Sequence, residues 1–223
     1  MGTQRPAPFI LADGTIGPGV TTVLSNVKLG GIDPLLAWAW RLGRDGKDFR
    51  EERDKAATSG TCAHDMCEAF IKQIPFEPSL YPPEVLAAAQ PAFDAFRRWL
   101  DDSKLVPVYS EVDLRSERLR FRGMIDVVFR RPDGSLEIGD FKTSNHIYPD
   151  HVIQIAAYQL LWNDYAAEKL SPCAHLLRIT KPQRPTDPVS YHHHFWSDLS
   201  HAARAWMLCR ELYDLHAIVK SLV

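Results

Sequence analysis

The chain has 223 residues, a formal net charge of -2 and 45% hydrophobic residues, which suits one domain with a sizeable core. The nearly balanced charge excludes a general polyanion binder, so any contact with nucleic acid must come from a local basic patch. No stretch reaches the ~18 apolar residues of a membrane-spanning helix. The first residues lack the basic start and apolar run of a secretory signal, so a cytoplasmic protein is expected.

The first 105 residues are predicted to be mainly helical. Residues 1-18 are rich in Pro and Gly and predict an arm or loop, whereas 19-27 fit either a strand or an opening helical turn. Capping residues and apolar spacing predict helices over 33-43, 46-57, 60-73 and 84-102. Pro91 is expected to kink or divide the last of these.

From residue 106 the apolar period changes to two. Three strands are predicted as an antiparallel meander, followed by a buried helix, one or two further strands and a closing helix. Their ranges are 106-115, 119-131, 135-143, 150-165, 173-180, 189-196 and 198-217. This order predicts an α/β fold with a mixed central sheet flanked by helices. We therefore expect a single domain over 1-223, with a helical part to 105 and an α/β core from 106.

Two acidic residues interrupt the apolar runs of the second and third strands. Asp126 lies in MIDVVF, while Asp140 and Lys142 lie in EIGDFKT. Alternation along paired strands can bring the two carboxylates together, where they repel each other unless a cation neutralises them. Oxygen ligands favour Mg²⁺ or Mn²⁺. The alternative is a plain surface ion pair. Burying a carboxylate in a strand, however, costs free energy unless the charge is paired or binds a metal.

The series GMID, IGDFKT and QIAAY resembles the PD-(D/E)XK nuclease superfamily, and within it the RecB-like exonuclease branch. That branch also carries an upstream helix with a Gly-x-x-x-His pattern, which is present here as Gly60 and His64. The four elements occur in the order of that branch, and the resemblance covers roughly residues 58-165. It implies a restriction-endonuclease-like core.

The resemblance also implies roles for matching residues. Metal ligands for Mg²⁺ or Mn²⁺ would be His64, Asp126, Asp140 and the backbone carbonyl of Phe141. Lys142 would orient the attacking water, and Gln154 and Tyr158 would position the substrate phosphate or Lys142, which makes Asp126, Asp140, Lys142, Gln154 and Tyr158 the catalytic set. Glu68 and Glu111 are possible additional residues of the site.

The function implied by the resemblance is a metal-dependent DNA nuclease, expected to be an exonuclease that leaves 5′-phosphates. Helices over about 33-73 would restrict entry to a single strand or a DNA end. Two alternatives remain open: a catalytically inactive DNA-binding or assembly module, and a hydrolase of small phosphoesters. Some relatives hold an iron-sulfur cluster through one early and three late cysteines. Because Cys209 is the one late cysteine here, no cluster is expected.

Arginines are concentrated around the hairpin that carries Asp126. A basic track for DNA phosphates is predicted to include Arg115, Arg118, Arg120 and Arg122, with Arg130, Arg131, Arg97 and Arg98 as further members. Solubilising residues on strand edges are the equal alternative. The run YHHHF at 191-195 has too few ligands for a metal site and predicts surface histidines.

Overall fold

A computed structural model describes residues 7-28, 32-144, 146-179 and 190-222. The first part contains a two-stranded hairpin and four helices. These are β1 (Phe9–Ile10), β2 (Ile16–Gly17), α1 (Val20–Val27), α2 (Asp33–Arg44), α3 (Phe49–Lys72) and α4 (Pro83–Ser103), with a 3-10 turn at Pro78–Leu80 before α4. The open choice for 19-27 is thus resolved as a helix. Within the described part of 1-18, the predicted loop includes a short hairpin.

The second part supplies a five-stranded mixed sheet. Its elements are β3 (Val106–Ser116), β4 (Phe121–Arg130), β5 (Leu136–Lys142), α5 (Pro149–Tyr165), β6 (Leu170–Ile179), β7 (Tyr191–Trp196) and α6 (Ser200–Lys220). The strand order is β3-β4-β5-β6-β7. The β3-β4-β5 meander is antiparallel as predicted. The β5-β6 pair is parallel, with α5 as its crossover.

Helices cover both faces of this sheet. One apolar cluster joins α1, α5 and α6 to one face, and a second joins α3 and α4 to the other. Strand β5 is central, and all its residues except Lys142 are buried. The mixed sheet with flanking helices confirms the predicted fold class. Among the described helices, none combines the length and apolarity that crossing a membrane requires.

One predicted break in the helical part is wrong, and of the kink or division predicted at Pro91 the division is wrong. The helices over 46-57 and 60-73 were predicted as separate, with Thr58 and Ser59 able to cap the second. Helix α3 instead continues through both residues, and their hydroxyls donate to the carbonyls of Asp54 and Ala56. The cap lies earlier, at Asp48, whose carboxylate accepts the amides of two first-turn residues. Pro91 does not divide α4, which is one helix from Pro83 to Ser103.

Glycine at 123 lets α5 approach β4 closely. A Cβ atom there would lie 2.5 Å from the ring of Tyr158, closer than nonbonded carbons approach each other. Because residue 123 has no side chain, the face of α5 that carries Tyr158 packs close to β4, the strand that carries Asp126.

Candidate active site

The predicted site residues come from four elements that meet beside the middle of β4 and the end of β5. Asp126 is on β4, Asp140 and Lys142 are on β5, His64 is on α3, and Tyr158 is on α5. Residue 60 explains how α3 reaches them. A Cβ atom on Gly60 would lie 3.3 Å from Oγ1 of Thr143, just beyond β5. The absence of a side chain thus lets α3 pass close to the strand end.

Three potential metal ligands form one cluster. Nδ1 of His64 lies 3.8 Å from Oε1 of Glu111 and 3.7 Å from Oδ2 of Asp126. One ligand atom from each residue lies within 4.8 Å of the others. This spacing matches donors that could share one cation.

The backbone of Glu111 is held in an unusual conformation. Its φ is 49°, in the left-handed region that costs a non-glycine residue about 1-2 kcal/mol. The ladder pairs Ser110 with Val127 and Val112 with Ile125, so Glu111 lies between two regular pairs. Strain of this kind is concentrated at functional sites, and here it accompanies a carboxylate that faces His64.

Asp140 is the most deeply buried carboxylate of the site. It is 1% exposed and forms an ion pair with Lys142, whose Nζ lies 2.5 Å from Oδ2. Burial raises the pKa of Asp140 to about 6, although the Lys142 ammonium opposes that shift. The pKa of Lys142 is raised: burial lowers it, but the carboxylates of Asp140 and Asp126 outweigh burial. Lys142 is therefore a cation at neutral pH.

The electrostatics of the cluster favour positive charge at His64. Burial lowers the pKa of its imidazole, but the carboxylates of Asp126 and Glu111 have a larger combined effect, and the pKa is raised to about 9. A ring that ordinarily titrates near 6.5 thus carries a proton at neutral pH in this structure. The protonated ring places a positive charge beside the carboxylates of Asp126 and Glu111.

Gln154 and Tyr158 form a pair on one face of α5. Nε2 of Gln154 donates to the hydroxyl oxygen of Tyr158 across 2.7 Å. The pKa of Tyr158 is raised by burial and then by the carboxylates of Asp140 and Asp126. Its hydroxyl therefore stays protonated beside the site and can act as a donor.

Comparison with known proteins identifies the family. A model of the PD-(D/E)XK nuclease superfamily matches residues 35–211. The chain belongs to this superfamily. The search of curated proteins finds no match. One similar solved structure, described as "Crystal structure of SSO0001", shares 16% identity at a TM-score of 0.35, and the match covers 61% of this chain and 62% of that one.

The residues of this site fit a divalent metal, which members of the superfamily usually use. One imidazole and two carboxylates supply donors of the kind that Mg²⁺ and Mn²⁺ accept. Oδ1 of Asp140 is buried and has no hydrogen-bond partner among the described residues. Buried polar atoms without a partner are rare and costly. A cation bound beside Asp140 would give this oxygen a partner.

Phe141 and Glu68, both predicted to belong to the site, make contacts other than the predicted ones. The amide of Phe141 donates to Oδ2 of Asp126 across 2.8 Å, which joins β5 to the cluster, and the role of the Phe141 carbonyl stays a prediction. Glu68 forms an ion pair with Lys72, one turn along α3, and the cluster contains Glu111 instead.

The predicted basic track consists of arginines that already have protein partners. The ion pairs join Arg115 to Asp113, Arg118 to Asp164, Arg120 to Asp13, Arg130 to Glu168 and Arg131 to Glu137. Arg122 donates to the carbonyl of Ala7, and Arg97 lies over the ring of Phe70. A role in DNA binding would require these groups to exchange partners, and it stays a prediction.

His151 is a neighbour of the site that sequence reasoning missed. Burial, and then the Lys142 ammonium, lower the pKa of its imidazole to about 4, while Asp140 opposes the shift. The ring is therefore neutral at pH 7. Its position three residues before Gln154, on the same helix face, was the available signal.

A buried polar chain crosses the sheet away from the site. Nε2 of His175 lies 2.7 Å from Oε2 of Glu137, and Nδ1 of His175 lies 2.8 Å from Nε2 of His193. The run at 191-195 was predicted as surface histidines, and His193 is exposed but also contacts this buried pair. The alternation of the run could not reveal a partner on another strand.

Proposed function

We propose that this nuclease is a divalent-metal-dependent deoxyribonuclease of the RecB-like type that degrades DNA from an end. The observation that carries the proposal is the buried Asp140–Lys142 pair beside the His64–Glu111–Asp126 cluster. A buried carboxylate with an unpartnered oxygen, next to three clustered donors, is costly for a structural ion pair and useful for binding a cation.

In this proposal His64, Asp126, Asp140 and the Phe141 carbonyl hold Mg²⁺ or Mn²⁺, and Glu111 is an additional ligand. The metal, when bound, would supply Lewis-acid stabilisation of the charge that develops on the phosphate. Metal binding also requires His64 to release its proton, because only the neutral imidazole has a free lone pair.

Lys142 would hold the attacking water and place positive charge next to the reacting phosphate. Its pairing with Asp140 fixes the ammonium on the site side of β5. Tyr158, oriented by the amide of Gln154, would donate a hydrogen bond to a phosphate oxygen. These roles give each residue of the catalytic set a task that depends on its present position.

Action from a DNA end is supported by the resemblance to the RecB-like branch and by the position of α3. This helix carries His64 from the N-terminal helical part to the cluster. The helical part thus forms one wall of the site. A wall of this kind would favour a flexible single strand or a duplex end over continuous duplex.

The test is digestion of two substrates by the wild-type chain with Mg²⁺, with Mn²⁺ and with EDTA. One substrate is linear DNA labelled at one end, and the other is a covalently closed single-stranded circle of the same sequence. We expect metal-dependent loss of the linear substrate, short labelled products and an intact circle. Cleavage of the circle would contradict the end requirement. An intact linear substrate with either metal, despite retained DNA binding, would favour the inactive binding module.

A further inference from the structure

The outer face of α6 carries a regular stripe of exposed apolar residues. They recur at alternating spacings of four and three residues: Leu208, Leu212, Leu215, Val219 and, just beyond the helix end, Leu222. Their exposed fractions run from 49% to 77%. Since a surface helix normally presents polar residues to solvent, this stripe calls for an explanation.

The stripe lies opposite the face that packs into the core. Trp206, Cys209 and Tyr213 are buried or partly buried against the cluster formed with α1 and α5. With 3.6 residues per turn, Leu208, Leu212 and the rest of the stripe point to the other side of the helix. One apolar face of α6 therefore packs against the core of the protein, whereas the stripe faces solvent.

The end of α6 also extends past the body of the protein. Every residue from Asp214 to Leu222 is exposed. Short helical segments without tertiary contacts are marginally stable in water, so an apolar cover would stabilise this one. The family match ends at residue 211, so this whole segment lies outside the region that matches the superfamily.

We propose that the stripe is the seam of a parallel two-stranded coiled coil between two copies of this chain. The alternating spacing assigns Leu212 and Val219 to a positions and the other three leucines to d positions. Leucine at d with a β-branched residue at a is the pattern of two-stranded seams, and Val219 with the three d leucines follows it, whereas Leu212 departs from it at the other a position. In a parallel pair each seam residue meets its own copy, so the surface is self-complementary about a two-fold axis.

Polar side chains beside the seam support the parallel arrangement. Glu211 falls at a g position, and His216 falls at the e position five residues later. In a parallel pair, g of one helix faces this e of the other, so a carboxylate of one copy would meet an imidazole of its partner, whose ring N–H can donate a hydrogen bond to it. The same contact occurs twice because of the two-fold symmetry.

The predicted association is weak. The seam spans about 21 Å of helix, and its area is well below the ~800 Å² per partner of a stable complex. We therefore expect a dimer that forms in the micromolar range or above. The inference does not depend on the proposed nuclease activity.

The test is sedimentation velocity over a concentration series, from low micromolar to several hundred micromolar. The wild-type chain should shift from the monomer toward twice its mass. Leu215→Glu should stay monomeric, with a dissociation constant raised at least about tenfold because a charge would enter the seam. Ala217→Glu is the matched control: it adds the same charge to the same exposed segment, off the seam, and should dimerise like wild type.

A second variant tests the orientation and keeps the test independent of folding defects. Leu222→Cys in a Cys173→Ser background should form a disulfide-linked dimer on mild oxidation, because equal positions adjoin in a parallel pair, whereas Ala217→Cys should not.

A wild-type chain that is monomeric at every concentration would overturn the proposal. Equal loss of dimer in both glutamate variants would also overturn it. A dimer that the Leu222→Cys variant does not cross-link would overturn the parallel arrangement.

Discussion

Oδ2 of Asp126 accepts a hydrogen bond from the backbone amide of Phe141 across 2.8 Å. The bond holds the carboxylate of β4 against the segment of β5 that carries Asp140 and Lys142. The same oxygen lies 3.7 Å from Nδ1 of His64. One carboxylate thus connects two strands and a helix.

Asp126→Asn should weaken Mn²⁺ binding by more than the ~10-100-fold typical of lost outer-shell partners, since it removes a charge from the cluster itself. The amide keeps the shape of the side chain, so the fold should persist. Isothermal titration with Mn²⁺ measures the change. Asp113→Asn, on neighbouring β3 and paired with Arg115, is the control and should bind metal as wild type does.

Glu111 and Glu68 should differ in their effect on metal affinity. Glu111 belongs to the three-residue cluster, so Glu111→Gln should lower Mn²⁺ affinity at least as much as the loss of a residue that only orients a ligand, about 10-fold or more. Glu68 pairs with Lys72, so Glu68→Gln should change it little. The same titration compares them, and a stronger effect at position 68 would mean that the assignment of the additional ligand is wrong.

Gly123→Ala should destabilise the fold, because the new methyl group would lie 2.5 Å from the Tyr158 ring. Overpacking of this kind costs about 1-3 kcal/mol. Gly43→Ala in α2 meets nothing within 4 Å and should stabilise by up to ~1 kcal/mol through helix propensity. Urea unfolding measures both. Equal unfolding free energies for the two variants would contradict the close approach of α5 to β4.

The fold was largely predictable because its strands have strong patterns. The alternation in β3, β4 and β5 predicted the meander, and the structure confirms it. The break at Thr58 and Ser59 was wrong because a capping residue can equally donate to the preceding helical turn. The approach of Gly60 to Thr143 that accompanies the continuous helix is a tertiary contact, which local pattern does not encode.

The candidate site was predictable in its residue types and less so in its arrangement. Carboxylates inside apolar strands marked Asp126 and Asp140, and the structure places them close to His64, although their roles stay predictions. The left-handed backbone of Glu111 has no signal in a run such as VPVYSEVDLR. The link from Glu137 through His175 to His193 joins three strands, so no local spacing could indicate it.

Acidification should weaken the stability that the neutral histidines His175 and His193 contribute to the folded protein. Burial lowers the pKa of His175, and burial followed by the proximity of His175 lowers that of His193 to about 4. The unfolded chain binds protons near the ordinary value of 6.5, so it gains more protons than the folded protein as the pH falls. The contribution of this pair to the free energy of unfolding should therefore decrease as the pH falls below about 6.5.

Urea unfolding at pH 7.5 and pH 5.5 tests this dependence. His193→Asn should show a smaller loss between the two pH values than wild type. His192→Asn, an exposed neighbour on the same strand, should keep the wild-type loss. Equal changes in the free energy of unfolding for wild type and His193→Asn between the two pH values would contradict the neutral state of the pair.

The most direct test of the proposed active site is the rate at which Asp140→Asn and Lys142→Ala degrade end-labelled DNA with Mn²⁺. Far-ultraviolet circular dichroism would confirm that equal folded fractions are compared, and Lys169→Ala would serve as the exposed control. We predict that wild type and Lys169→Ala degrade the DNA at similar rates and that both site variants lose at least about 10²-fold in rate. Wild-type rates in both site variants would contradict the assignment of catalysis to this pair.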